Sequence, residues 1–415
     1  MRTSFDVAIV GAGPAGASAA ILLARAGWSV AVIERQAFPR RKVCGECVAA
    51  SNLPLLDALG VGAAFAARAG AELRRVALMR GADTIVAALP PGEGRHRWGR
   101  ALGREHLDTV LADAAAAAGA IRLQPCALQS IVGAPGRFRL GLRRDSGASD
   151  DGEFEVAAAV VIAAHGSWEP LPSERDERRE LRAPSDLFAF KANFRCAAID
   201  ADLLPVLSFD GGYGGMVVAD DHLLTLAGCI RADRLQALRA VHPGLRAGEA
   251  FEAMLRRECA GVATALAHAR RADAWLASGP LRPGVRVDAD EPVFRIGNAA
   301  GEAHPIVGEG ISMALQSAFV LAALIAPERA ALVDEGRAGA AQRRARATYA
   351  ALWRRRFARR LGVAATFAHV AMRPALAASA WPLVRRWPRI LTEGARLSDK
   401  TRCAPEALRL AAPMA

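Results

Sequence analysis

The chain has 415 residues, 52% of them apolar and 23% charged, which excludes global disorder and asks for two or three domains rather than one core. Seven scattered cysteines make no disulfide framework, no apolar run is long enough for a membrane span, and no apolar stretch behind a basic start marks a secretory signal, so a reducing, cytoplasmic setting is expected. The net charge of +12 belongs to the tail: residues 341–415 hold 16 basic against 3 acidic side chains, and arginine dominates, with only three lysines, Lys42, Lys191 and Lys400.

Phe5–Val10 is a β-branched run that ends in the turn Gly11-Ala12-Gly13-Pro14-Ala15-Gly16. Ala17–Ala26 has helix-forming composition and stops at Gly27; Ser29–Ile33 is the next strand. Strand, glycine turn, helix and strand in this order predict a βαβ unit with parallel strands. A loop begins at Pro39-Arg40-Arg41-Lys42, a short helix is predicted over Ser51–Leu59 and an alanine-rich one over Arg104–Ala118. Val156–Ala164 reads as a buried strand, and the polar Ser146–Gly152 as a hairpin or loop. Residues 185–285 change to period-two stretches (Leu187–Arg195, Leu223–Ile230) with helical segments such as Ala250–Cys259, as in a separate antiparallel sheet. Phe294-Arg295-Ile296 returns to a strand, followed by a second glycine-rich turn and a helix over Ile311–Leu324; from about 326 the chain reads as helical.

The expected fold is therefore α/β: a doubly wound dinucleotide-binding domain from residues 1–75, 96–182 and 286–325, an inserted β-sheet substrate domain from 76–95 and 183–285, and a basic helical region over 326–415.

The chemistry of the first turn follows from its residue types. Gly11 permits the tight turn, Gly13 lets the backbone approach a pyrophosphate, and Gly16 lets the helix pack on the strand. The helix N-terminus offers N–H groups and partial positive charge to the phosphates. Glu34, ending the second strand with Arg35 beside it, is the candidate carboxylate for the ribose hydroxyls. Gly297-Asn298-Ala299-Ala300-Gly301 and Pro305–Ile311 place a second helix start at the same ligand. That suits an isoalloxazine, where negative charge develops on reduction.

These motifs resemble the flavoprotein monooxygenase superfamily with the para-hydroxybenzoate hydroxylase type of fold, and within it they are most similar to the geranylgeranyl reductase branch. The matching segments are Gly297–Gly301 with Pro305, Gly308, Glu309, Gly310 and Ile311, the stretch Phe38–Glu46 with Lys42, Cys44 and Gly45, and the helix start Arg104-Glu105-His106-Leu107-Asp108. Asp210–Met216 is similar to the branch's pocket strand. The resemblance implies noncovalent FAD, an arginine (Arg104) at the flavin's ribityl-phosphate region, and an adenine-contacting strand near Leu128. Three positions depart from it. His165 stands where the family has aspartate, which weighs against direct, tight NADPH use; Asn298 replaces the ribityl-binding aspartate; Gly215 replaces a pocket tryptophan.

The function expected from this resemblance is oxidation of an apolar or aromatic small molecule by a monooxygenase. A flavin-dependent reductase giving hydride to a C=C bond of a lipophilic substrate is the alternative, and a redox relay through Cys44 and Cys47 is the third reading. NADPH or NADH stays open as electron donor, directly or through a partner. Cys44, His304 and Tyr213 are the candidate catalytic residues. The histidines are dispersed, so no metal is expected, and no Trp-x-Trp-x-Ile-Pro segment points to halogenation. Trp353–Phe357, Arg359 and Arg360, followed by Phe367, Trp381, Leu383, Trp387 and Ile390, form a basic, aromatic tail. It is a candidate for a peripheral membrane surface or an acidic carrier protein; nucleic acid is not expected.

Overall fold

The computed structural model describes residues 3–144, 152–167, 169–172 and 183–397. Most of the Ser146–Gly152 segment, and the chain beyond 397 with Lys400, lie outside the described residues.

Two sheets organise the chain. In the first, Ile121–Leu123, Val30–Ile33, Ser4–Val10 and Glu153–Ala163 run parallel, with Phe294–Arg295 joining Glu153–Ala163 in the same sense. The antiparallel pair Arg137–Arg144 and Cys126–Ala134 extends it. The four strand residues Val30–Ile33 and the inner residues of Ser4–Val10 are buried, as expected of parallel strands covered on both faces. Helices Pro14–Arg25, Arg104–Ala117 and Gly310–Ile325 cover one of them, and the apolar core between joins Val7, Ile9, Leu107, Leu111, Leu315 and Phe319.

The second sheet takes its strands from residues 75–88 and 187–281. Leu187–Arg195 pairs with Leu224–Arg231, then come Gly212–Val218, Leu203–Phe209, Arg75–Arg80 and Asp83–Ala88. Helix Ala247–Glu258 closes one face, where Phe251 stacks on Phe190 at 5.2 Å. The predicted strand Leu187–Arg195 is found with those bounds, and the other expected elements differ by a few residues at their ends. The pair Arg75–Arg80 and Asp83–Ala88 falls within the 76–95 segment expected in the substrate sheet, and Cys126–Ala134 contains the strand expected near Leu128; its hairpin partner Arg137–Arg144 was not expected from sequence.

The C-terminal region is helical: Glu335–Ala371, Pro374–Arg386 and Arg389–Leu397. Here one expectation needs correcting. Trp353, Phe357 and Arg360 were grouped with a basic surface, yet all three are buried. Trp353 and Phe357 belong to the core, and Arg360 donates to Gln316 Oε1 at 3.0 Å and lies 3.6 Å from the buried carboxylate of Glu309. The long helix docks through this face; of the later tail aromatics, Phe367 and Trp387 are exposed while Trp381 is buried. No single described helix is long and apolar enough to cross a membrane.

Candidate functional site

The first glycine turn is built as its residue types require. Gly11 sits at φ +104°, and a Cβ there would stand 2.5 Å from the Ala164 carbonyl oxygen. Gly16 lies against the turn itself: its Cβ would fall 1.9 Å from the Gly11 oxygen. At Gly13 the nearest atom to an added Cβ is the Arg104 guanidinium, 3.6 Å away, so space is left above the turn. No side chain caps the helix Pro14–Arg25, which leaves its first-turn N–H groups for an anion.

Glu34 is buried, accepting from the Ala12 N–H and the Gln36 N–H, each at 3.0 Å. Arg40 bridges Glu34 at 3.4 Å and Asp108 at 3.2 Å. Asp108 in turn holds Arg104 in a two-pronged pair at 2.7 and 2.8 Å, and the Cys44 side chain lies close to the same guanidinium. Burial and the neighbouring charges of Arg40 and Arg104 push the Lys42 ammonium down to about 8. Across the cavity, Gly308 turns the chain in a left-handed conformation, and the helix Gly310–Ile325 again begins without a side-chain cap. A Cβ at Gly310 would meet nothing within 4 Å. A narrow glycine turn, a buried carboxylate, a cationic rim and a second open helix start fit the ADP half, the pyrophosphate and the flavin of FAD.

The Lys42 shift has a consequence for binding. A pyrophosphate favours the charged amine, and in the ligand-free protein that proton is lost as pH rises through about 8. FAD affinity should therefore fall between pH 7 and 9. Lys42→Met should weaken binding about tenfold at pH 7 and flatten this dependence. Fluorescence titration of the apoprotein measures both; an equally steep pH profile in the variant would refute the assignment.

The two motifs meet in one cavity of about 600 Å³. Gly11, Gly13, Pro14, Ala15 and Glu34 line it from one side; Lys42, Cys44, Gly45 and Arg104 from another; Gly297, Asn298, Pro305, Gly308, Gly310 and Ile311 from the third. Ala12 and Gly16 are buried beneath the turn. Arg35 is exposed and outside the cavity. Leu128 packs with Phe138 and Leu140 in a separate core cluster and does not line the cavity. The strand beside Glu34 is Ile121–Leu123.

Tyr213 lines the cavity, and its hydroxyl lies 3.1 Å from His304 Nδ1. Burial and the adjacent Cys229 hold the phenol well above its usual range, so it stays protonated. His304 stands behind Tyr213 rather than on the cavity wall. Burial and the charge of His369 push it down to about 4. The ring is neutral at pH 7, with Nδ1 facing the Tyr213 hydroxyl. Cys44 and Cys47 are half-buried thiols on the cavity, with Cys47 in a short strand paired to Ala101.

One group was missed from sequence. Glu46, Lys191, Asn193 and Thr225 form a buried polar cluster that ties the flavin segment to the second sheet. Lys191 Nζ donates to Glu46 Oε1, the Arg104 N–H donates to the same oxygen at 3.0 Å, and the Thr225 hydroxyl donates to Oε2 at 2.5 Å. The signal in the sequence was a lysine set among the apolar Phe188-Ala189-Phe190 and Ala192 of a strand, in a chain with only three lysines; a buried cation needs a buried acid. His106, Asp220 and Asp221 also converge. Asp220 is engaged by the Gly103 N–H at 2.5 Å, and Arg68 faces His106 Nε2 at 3.3 Å, so we assign no metal there.

The fold and this cradle define a flavoprotein of the two-sheet kind. A family model described as an FAD binding domain matches residues 4–219, and the chain belongs to that family. The menaquinone reductase of Mycobacterium tuberculosis is 29% identical over 337 residues, covering 78% of this chain and 76% of its own. The flavin-dependent halogenase CmlS superposes with a TM-score of 0.72 at 22% identity, over 99% of this chain and 70% of that one. A geranylgeranyl bacteriochlorophyll reductase-like protein from Thermoplasma acidophilum does so with 0.69 at 17% identity, over 96% and 100%. The last two likenesses are of fold.

Proposed function

We propose that this FAD-dependent oxidoreductase reduces a C=C bond in a long, apolar substrate. The observation that carries this is the cavity's course. Beyond the flavin-facing loops it runs between the second sheet (Val76, Leu78, Val206, Met216) and the C-terminal helices (Trp381, Val384). Its mouth is rimmed by Phe367 and Leu383, which line the cavity yet remain exposed. Oxygen chemistry on a flavin needs water sealed out, whereas hydride delivery tolerates an open mouth. The menaquinone reductase relative, whose name implies a lipophilic substrate, supports the same reading.

FAD, when bound, supplies two-electron hydride chemistry. The chain's own residues supply the rest. Apolar walls bind and align an extended chain. Cys44 is the proton donor: its thiol is on the cavity, and Arg104 is placed to stabilise the thiolate it leaves. Tyr213, held by His304, positions the substrate from the opposite sheet. The electrons come from NADPH or NADH, directly or through a partner.

The test is anaerobic turnover of menaquinone in detergent with chemically reduced enzyme. The wild type should saturate a C=C bond without oxygen, and Cys44→Ala should lower kcat about 100-fold while FAD content is unchanged. Product carrying an oxygen atom, formed only in air, would assign the enzyme to the monooxygenases instead.

A further inference from the structure

We infer that the helix pair Pro374–Arg386 and Arg389–Leu397 docks on an anionic lipid surface and holds the cavity mouth against it. The partner is named on the reading of an apolar substrate, but the observations are separate from the flavin site. In Pro374–Arg386 the stripe Ala377, Trp381 and Val384 turns inward and is buried. The neighbouring stripe Leu376, Leu383 and, just past the helix, Trp387 has helical spacing and faces outward, at 45%, 50% and 54% exposure. Large apolar side chains aligned in this way are costly in water unless something covers them.

The charges around the stripe say what covers it. Arg373, Arg385, Arg386, Arg389 and Arg396 are exposed on this pair, against one acid, Glu393, which is paired with Arg396 at 2.6 Å. The Arg386 guanidinium lies over the Trp387 ring at 5.8 Å. Arginines around apolar tips match an anionic headgroup layer above an acyl layer. The preceding helix meets Pro374–Arg386 at a bend of 102°, and the pair packs on Ile85 and Leu78 of the second sheet, with the Thr392 hydroxyl donating to the Ala88 carbonyl at 2.7 Å. Leu383 belongs both to the outward stripe and to the cavity wall, so the surface and the mouth are contiguous. An acidic protein seated here would cover that mouth; a bilayer would feed it.

The experiment is flotation of the full-length, FAD-loaded protein with vesicles of phosphatidylcholine alone or with added phosphatidylglycerol, at low and high salt. Binding is expected only to the anionic vesicles and should weaken with salt. Arg385→Glu combined with Arg386→Glu should lower partitioning about tenfold or more. Trp387→Ser should lower it even at low salt. Unchanged FAD content and melting temperature show that both variants are folded. Absence of binding, equal binding to neutral vesicles, or variants that float like the wild type would overturn the inference. So would stronger binding to polyglutamate than to the vesicles, which would assign the surface to an acidic protein. Turnover in detergent tests the reductase reading by itself, so failure of one leaves the other standing.

Discussion

Lys191→Met is expected to be the most destabilising single change in the substrate-facing half of the molecule. Lys191 is fully buried and donates to Glu46, which is itself buried. Removing the cation leaves a carboxylate with only the Arg104 N–H and the Thr225 hydroxyl to satisfy it. Breaking one side of a buried pair costs about 3–5 kcal/mol. The damage should reach the flavin site. Glu46 stands at φ +58°, a conformation few non-glycine residues adopt, and its own N–H donates to the Cys44 sulfur at 3.3 Å. The side-chain cluster therefore holds the Cys44–Gly45 backbone in place.

The sign of the pH response follows from burial, which raises the Glu46 carboxyl against the lowering effect of Lys191. Without Lys191 the carboxyl moves further up. A raised acid contributes stability at low pH that is lost as pH rises through its folded value. The deficit of Lys191→Met should thus narrow as pH is lowered below 7, and Lys191→Met with Glu46→Gln should recover part of it at pH 7. Chemical denaturation with parallel flavin absorbance reads both. A deficit independent of pH, or a double variant no better than the single, would remove the pair from this role.

Gly16→Ala is the second large effect. Its Cβ would lie 1.9 Å from the Gly11 carbonyl oxygen and 3.1 Å from Ala164 Cβ, both on rigid backbone or core. The helix Pro14–Arg25 can only retreat from the turn, and overpacking of this kind costs about 1–3 kcal/mol. The retreat moves the N–H groups offered to the pyrophosphate, so the purified protein should carry little flavin, with affinity down about 100-fold. Gly13→Ala gives the contrast. Its Cβ reaches only the Arg104 guanidinium, so the fold should melt near the wild-type temperature while FAD binding weakens. Equal flavin content in Gly16→Ala and wild type would contradict the geometry.

The polar path from Arg360 through Gln316 to Asn52 and Ser312 shows why parts of this site were hidden in the sequence. Gln316 donates to Asn52 Oδ1 at 3.0 Å and Asn52 donates to Ser312 at 2.7 Å, linking three distant segments in the core. None of these residues has a local pattern that marks it. Arg360 was read with its arginine-rich neighbours, because charge along a helix does not reveal which face packs inward. His304 was read from its place before Pro305; its neutrality depends on burial and on His369, far along the chain.

The sequence by itself determined the βαβ unit, the glycine turn with Glu34 and the second glycine-rich helix start. Each rests on local backbone demands: a positive φ, a close approach, an open helix end, a carboxylate at a strand's last residue. Alone these mean a dinucleotide; the resemblance of the Arg104 helix start and the Gly297–Ile311 segment to the flavoprotein monooxygenase superfamily narrowed it to FAD. Tertiary structure alone decided which side chains share the cavity, that Glu46 of the flavin-side loop meets Lys191 of the second sheet, and that the tail divides into a buried face and an exposed one. Pairing, burial and the course of a cavity depend on contacts between segments hundreds of residues apart, and no local spacing encodes them.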